Sequence, residues 1–206
     1  AWKYRLYVGI ATLVMVLAVI VGLFKVLYNI NIQENYQPSQ PIAFPHDVHA
    51  GLNGIDCKYC HNSVTKSKTA GIPTVNVCMN CHKKINGEGK EFQGEINKIY
   101  TAAGWDPKRG PAGEYTNETS PIVWNKVHNL PDHVYFNHKQ HVVVGGVDCI
   151  QCHGDMTKMN ETAMVQPVSE LNKIEGNIPL TKPTLTMGWC IDCHQEAAIS
   201  EGPINT

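Results

Sequence analysis

Apolar residues are concentrated at the start of the chain. Residues 6–28 form an apolar run whose only charged side chain, Lys25, lies near its end. A helix needs about 20 apolar residues to cross the hydrocarbon core of a bilayer, so this run predicts a transmembrane helix. A cleaved signal peptide would have a shorter apolar run followed by small residues at its processing site. The sequence continues from Tyr28 as the polar stretch YNINIQENY, which favours an uncleaved anchor.

The rest of the chain shows little helical or strand periodicity. Residues 91–103 are the exception, because apolar side chains recur there at helical spacing and Gly104 is suited to end the helix. Glycine, proline and asparagine are frequent between residues 105 and 121, which indicates a loop. The pattern predicts a fold that is mainly irregular and α-helical, with little regular secondary structure.

One stretch of the polar part occurs twice. Residues 44–61 read FPHDVHAGLNGIDCKYCH, and residues 136–153 read FNHKQHVVVGGVDCIQCH. Both follow the template F-x-H-x-x-H, seven residues ending in Asp, and C-x-x-C-H. A further C-x-x-C-H follows each copy, at residues 78–82 and 190–194. All eight cysteines of the chain therefore lie in four motifs of one kind.

The C-x-x-C-H motif is a c-type haem attachment sequence. Two thiols three residues apart can bond to the two vinyl groups of a haem, and the adjacent histidine can bind its iron. Structural zinc and disulfides also use paired cysteines, but neither requires a histidine after every pair. The predicted attachment residues are Cys57, Cys60, Cys78, Cys81, Cys149, Cys152, Cys190 and Cys193, with His61, His82, His153 and His194 as proximal ligands.

The repeated F-x-H-x-x-H element supplies one further histidine for each of the four motifs. These four residues, His46, His49, His138 and His141, are predicted to be the distal iron ligands. Two histidines three residues apart on a helix point to neighbouring but different positions. We therefore expect the two histidines of a pair to serve different haems. Their spacing does not specify which haem each one serves.

These motifs divide the chain into segments. We expect a transmembrane anchor at residues 1–30, a linker at 31–43, a first dihaem unit at 44–90, a connecting helix and loop at 91–123, and a second dihaem unit at 124–206. The chain is 43% apolar, but much of this lies in the first 30 residues, so the remainder has little material for a core. Haem would supply that interior, and we expect the apoprotein not to fold.

Charge bears on partners and on orientation. The formal net charge is −1 and there is no basic patch, so nothing indicates nucleic-acid binding. Lys3 and Arg5 precede the apolar run, which by the positive-inside tendency leaves the N-terminus in the cytoplasm. The predicted location is a single-pass protein of the bacterial inner membrane with its haem domain in the periplasm.

The motifs resemble those of a known family. FPHDVH with CKYCH, VHNLPDHVYFNHKQHV and LTMGWCIDCH are similar to the pentahaem membrane-anchored cytochrome c subunit (ActA) of bacterial alternative complex III. The F-x-H-x-x-H element is also shared with class III multihaem cytochromes, so a class III-like domain is expected. The resemblance implies partners: an iron–sulfur protein, a quinol-binding membrane subunit and a monohaem cytochrome c.

The resemblance also raises the question of a fifth haem. Such subunits bind five haems, whereas this chain has four attachment motifs; a fifth motif is expected beyond residue 206 if the chain is a fragment. In the family's V-H-x-L-P pattern the histidine corresponds to His128, which the resemblance makes the distal ligand of that haem. His133 lies outside the pattern and is expected to be a solvated side chain.

Three functions are compatible with these motifs. The first is an electron-transfer subunit, not itself an enzyme, that relays electrons on the periplasmic side of a quinol-oxidising complex towards a cytochrome c or a terminal oxidase. The second is a stand-alone tetrahaem quinol dehydrogenase of the NapC/NrfH type, which has its first motif soon after the helix and lacks the duplicated F-x-H-x-x-H. The third, a multihaem reductase, needs an open iron site. Because every iron is offered a second histidine, the relay is favoured.

Overall fold

The chain forms two compact units. The computed structural model describes residues 1–116, 118–160 and 162–201, with side chains through residue 197. The first unit, residues 1–32, contains helix α1 (Trp2–Tyr28). Its 27 residues are long and apolar enough to cross a membrane, since a helix rises about 1.5 Å per residue and the hydrocarbon core is about 30 Å thick. The second unit begins at residue 33.

The second unit consists of short elements joined by loops. In chain order they are a π-helical turn (Asp47–Leu52), α2 (Cys57–Cys60), α3 (Val75–His82), α4 (Gln93–Ala103), β1 (Trp105–Asp106), β2 (Glu114–Tyr115), a second π-helical turn (Gln140–Val144), α5 (Cys149–His153), a 3₁₀ turn (Met156–Lys158), α6 (Val168–Leu171) and α7 (Met187–Glu201). The fold class predicted from the sequence, one long apolar helix followed by a largely irregular and helical domain, is confirmed.

Helix α4 organises the first of two small cores. Ile96, Ile99 and Tyr100 of α4 are buried and pack with Met79 of α3 and with Ile42. The helix ends at Gly104, whose φ of +65° is the left-handed conformation that glycine adopts most easily. The helical spacing and the glycine stop predicted from the sequence are thus observed, with the first residue at 93 instead of 91.

The second core lies around helix α7. Leu171, Leu180 and Trp189 are buried together, and three motif cysteines, Cys152, Cys190 and Cys193, pack against them. The two clusters contain nine buried residues in all, six in the first and three in the second.

Two segments differ from the sequence prediction. The helix expected for each F-x-H-x-x-H element is a π-helical turn: His49 and His141 lie within the two turns, and His46 and His138 lie just before them. The turns are closed by bonds from Asn53 N to Val48 O (3.1 Å) and from Gly145 N to Gln140 O (2.8 Å). The loop of residues 105–121 contains a short antiparallel pair, in which Trp105 lies opposite Tyr115. Neither element is long enough to leave a periodic signal.

The first residues of the second unit pack against its later part, here called the second repeat (residues 124–206), as distinct from the first repeat (residues 44–90). Glu34 Oε1 accepts hydrogen bonds from Val168 N (2.8 Å) and Thr184 N (2.9 Å). Nearby, the backbone of Val165 bonds to both Asn35 and Tyr36. Residues 34–36 of the predicted linker are therefore bonded to later residues of the second unit.

Candidate haem sites

Each copy of the repeated template begins its attachment turn in the same way. Asp56 and Asp148 precede the first cysteine, and their carboxylates accept hydrogen bonds from Lys58 N (2.6 Å) and Ile150 N (3.1 Å). These are N-caps, which satisfy backbone N–H groups at the start of a helix. The aspartate of the template thus has a structural role in presenting the C-x-x-C-H turn.

The phenylalanine of the template holds both histidines of its pair. Phe44 stacks on His49 with ring centres 4.2 Å apart, and it meets His46 edge-on at 4.8 Å. Phe136 repeats this arrangement, at 4.4 Å from His141 and 4.8 Å from His138. The rings are thereby fixed in the same orientation in both repeats.

Three predicted distal histidines lie close to predicted proximal histidines. The ring centres are 6.2 Å apart for His49 and His82, 6.0 Å for His141 and His194, and 6.5 Å for His138 and His153. An imidazole nitrogen binds a metal at about 2 Å and its ring centre lies about 1 Å beyond, so two imidazoles on one metal have centres about 6 Å apart. Each pair has the separation that a shared iron requires.

Backbone carbonyls orient most of these imidazoles. A carbonyl oxygen can only accept, so in neutral imidazole the ring nitrogen bonded to it carries the proton and the other nitrogen keeps its lone pair. Five histidines use Nδ1 in this way: His49 to Pro45 O (2.9 Å), His61 to Gly71 O (2.7 Å), His82 to Ile85 O (2.8 Å), His138 to Lys68 O (2.9 Å) and His141 to Asn137 O (2.9 Å). In all five, Nε2 is left free to bind a metal.

Burial keeps the inner histidines neutral. It lowers the pKa of His153 to about 3, with the nearby His128 and His138 adding to the effect, and it lowers the pKa of His46 to about 4, where the nearby His61 contributes. Neutral imidazole is the form that binds a metal. His46 Nδ1 is buried without a hydrogen-bond partner. Near neutral pH both side chains therefore have ligand lone pairs.

His128 lies among the motif histidines. Its ring meets that of His153 edge-on, with centres 4.4 Å apart, which is shorter than an axial pair needs. Its Nε2 is buried without a partner, and burial followed by the charge of His138 lowers its pKa to about 4. His133, by contrast, is exposed, as predicted for a solvated side chain.

The donor set fits c-type haem. All eight cysteines have free thiols, available for thioether bonds. The attachment turns have matching caps, and the histidines opposite them present unprotonated nitrogens at a separation suited to iron. Haem would be held by these cysteines and by the facing imidazoles.

Sequence reasoning did not assign roles to several template residues. Phe44 and Phe136 orient the histidines, and Gly54 and Gly146 each have a φ of +62°, which an L side chain rarely adopts. The recurrence of these residues in both copies was a usable signal. The aspartate one position before a short helical turn was another, because Asp is a preferred N-cap.

Two comparisons bear on this site. The sequence profile of the outer membrane cytochrome MtrC/MtrF-like family, domains II/IV, matches residues 50–205, a range that contains all four C-x-x-C-H motifs. The chain is also 28% identical over 168 residues to the menaquinone reductase, multiheme cytochrome c subunit, of Nitratidesulfovibrio vulgaris strain Hildenborough. That match covers 77% of this chain and 69% of the relative.

Proposed function

We propose that this multihaem c-type cytochrome is a membrane-anchored electron relay linked to the quinone pool. The premise is its family, since the chain belongs to the outer membrane cytochrome MtrC/MtrF-like family, domains II/IV. Its role is electron transfer as a subunit, with four haems attached at the four C-x-x-C-H motifs. Helix α1 anchors it in the bacterial inner membrane, and the haem domain lies in the periplasm.

The observation that carries this proposal is the facing of imidazoles in pairs. His49 with His82 and His141 with His194 occupy equivalent positions in the two repeats, at 6.2 and 6.0 Å. His138 and His153, at 6.5 Å with their planes 8° apart, form a third pair. By the repeat, His46 is the counterpart of His138 and is assigned to His61. Haem held between two of these histidines would have no open iron position for a substrate, which favours a relay over a reductase.

The chemistry of haem in these sites is the exchange of one electron at a time between ferrous and ferric iron. The chain's residues contribute the surroundings of that exchange. Phe44 and Phe136 restrict ring rotation, and the carbonyls of Pro45 and Asn137 fix the tautomer of the second distal histidine in each repeat. Fixed ligands reduce the rearrangement that accompanies each change of oxidation state.

The first candidate for the complex is a quinol-oxidising one of the alternative complex III kind. The resemblance of VHNLPDHVYFNHKQHV and LTMGWCIDCH supports it. The partners would be an iron–sulfur protein, a quinol-binding membrane subunit and a monohaem cytochrome c, and His128 would be the distal ligand of a fifth haem. Electrons from the quinol would leave through this chain to a cytochrome c or an oxidase.

A second candidate has the opposite direction of flow. The Nitratidesulfovibrio vulgaris relative is a subunit of a menaquinone reductase, which favours a relay that delivers electrons to a quinone-reducing partner. The two candidates share the same haem sites. They differ in whether the membrane partner donates electrons to this chain or accepts them.

The relay is tested by the haem content and spin state of the full-length protein in detergent micelles. Mass spectrometry and the pyridine haemochrome assay should give at least four covalent haems per chain, one at each C-x-x-C-H motif of residues 57–194, and EPR of the oxidised protein should give low-spin signals. A high-spin ferric signal, which indicates an open iron position, would contradict the relay. Fewer than four haems would contradict the site assignment.

A variant sharpens this test. His49→Met should raise the reduction potential of one haem, because a methionine ligand raises the potential of a histidine-ligated iron. His133→Met is the matched control, since this exposed histidine is not part of the ring pairs. Equal potentials in the two variants would remove His49 from the ligand set.

The direction of electron flow is tested by mixing the purified complex with reduced and with oxidised menaquinone analogue and recording which one changes the haem absorption.

A further inference from the structure

The two repeats hold each other's distal histidines. The first π-helical turn (Asp47–Leu52) packs on the 3₁₀ turn (Met156–Lys158), which follows the attachment motif at residues 149–153. Asp47 N donates to Met159 O at 3.0 Å, and Gly51 lies directly against the carbonyl of Thr157. The turn that carries His49 is thus supported by the opposite repeat.

The reverse contact is also present. His138 donates from both its backbone N (3.1 Å) and its Nδ1 (2.9 Å) to the carbonyl of Lys68, and Lys139 N donates to Ser67 O at 3.3 Å. Residues 67 and 68 follow the attachment motif at residues 57–61. Each repeat therefore supports the histidine turn of the other from the segment just after its own first motif.

This reciprocal contact brings the first motif of each repeat close to the other. Residues 67 and 68, which follow the motif at 57–61, bond to residues 138 and 139, which precede the motif at 149–153. Residues 156–159, which follow the motif at 149–153, contact residues 47–52, which precede the motif at 57–61. Residues 57–61 and 149–153 thus form the junction between the repeats.

Within the first repeat, the second motif adjoins the first. Asn80, inside the motif at residues 78–82, donates to the Tyr59 hydroxyl inside the motif at residues 57–61, at 3.0 Å. The residue between the cysteines of one motif is therefore bonded to its counterpart in the other.

Within the second repeat, the equivalent contact passes through the core. Cys152 of one motif and Cys190 and Cys193 of the other pack against the same cluster of Leu171, Leu180 and Trp189. These two motifs are neighbours as well.

From these contacts we infer that the four haem sites form a single line in the order His82, His61, His153, His194, which differs from the order of the motifs along the chain. The two repeats meet through their first motifs, and their second motifs are the ends of the line. The inference rests on the proposed relay. An electron from the donor partner enters at one end and leaves to the acceptor partner at the other, so each pass oxidises one partner by one electron and reduces the other by one.

The order assigns roles to the chain's ligand pairs. His49 with His82 and His141 with His194 belong to the end sites, where partners exchange electrons. His138 with His153, and His46 with His61, belong to the junction that every electron must cross. The carbonyls of Lys68 and Met159, which join the repeats, position this junction without binding iron.

The iron positions in the full-length, haem-loaded protein test this order. Anomalous scattering at the iron edge from crystals grown in detergent locates each iron, and the adjoining C-x-x-C-H turn identifies it. We expect the irons on His61 and His153 to be the closest pair between the repeats, and those on His82 and His194 to be the most distant pair of the four. Any other pair as the closest contact between repeats would overturn the order.

A pair of variants provides a second measurement in solution. His138→Met alters a junction site and His141→Met alters an end site three residues away on the same turn. Neighbouring irons interact electrostatically, so the His138 variant should shift the midpoint potentials of first-repeat haems, whereas the His141 variant should leave them unchanged. Equal shifts would overturn the order. The two proposals fail in different ways. Loss of haem would count against the proposed relay. Four attached haems in a different order would contradict this inference alone.

Discussion

Replacing Gly51 with alanine directly tests the contact between the two repeats. Gly51 lies in the first π-helical turn, against the backbone of Thr157 from the second repeat. A Cβ at this position would overlap the Thr157 carbonyl oxygen and lie 3.3 Å from its carbonyl carbon. Because the obstacle is backbone and not a flexible side chain, one of the two turns must move.

The size of the effect follows from that overlap. Inserting a methyl group into a closely packed contact costs about 1–3 kcal/mol of the free energy of unfolding. Thr157 is held by a further bond, from its backbone N to Asp155 Oδ1 (3.2 Å), so the 3₁₀ turn resists displacement. We therefore expect Gly51→Ala to destabilise the haem-loaded protein by about 2 kcal/mol.

The assay is guanidinium unfolding of the haem-loaded protein, followed by far-UV circular dichroism and by haem absorption. The unfolding free energy changes by about 2–6 kcal/mol per molar guanidinium, so the midpoint should fall by about 0.5 M. Gly94→Ala is the matched control. Gly94 lies in helix α4, where an added Cβ would meet no atom within 4 Å, and alanine there should stabilise by up to about 1 kcal/mol.

The two variants are expected to shift the midpoint in opposite directions. If Gly51→Ala unfolds at the same denaturant concentration as the wild type or as Gly94→Ala, the two turns are not in contact in the protein. That result would also remove one of the supports for the junction between the repeats. A fall in the Gly51 variant with unchanged haem content would attribute the loss to packing.

Three further predictions concern the core, the cofactor and the additional histidine. Tyr100→Phe should cost about 0.5–1.5 kcal/mol in the same unfolding assay, because the buried hydroxyl donates to His82 O at 2.7 Å, whereas Tyr135→Phe, 80% exposed, should have little effect. A chain produced without haem attachment should show no cooperative unfolding transition and should be digested rapidly by protease, because its two apolar cores are small. A cooperative transition would show that these cores are sufficient to fold the chain without haem. His128→Ala should retain four covalent haems by mass, since thioether bonds do not depend on this histidine. The EPR signal of the haem on His153 should change, because the centres of the His128 and His153 rings are 4.4 Å apart. An unchanged spectrum would show that His128 does not influence that site.

The proposed attachment motifs could be recognised from the sequence because they are local. A C-x-x-C-H motif needs only five consecutive residues on one turn, so all four motifs could be recognised without knowledge of the fold. The long apolar run and the helix ending at Gly104 were predictable for the same reason: hydropathy and helical spacing are properties of adjacent residues.

The pairing of distal with proximal histidines needed the tertiary structure. His49 lies 33 positions before its neighbour His82, and His141 lies 53 positions before its neighbour His194, and the intervening loops and short helices leave no periodic pattern. The carbonyl of Lys68 meets His138 from the other repeat, a contact that neither sequence copy contains. Residue types therefore determined which chemistry the chain can perform, while long-range packing decided which histidines meet and in what order the sites follow one another.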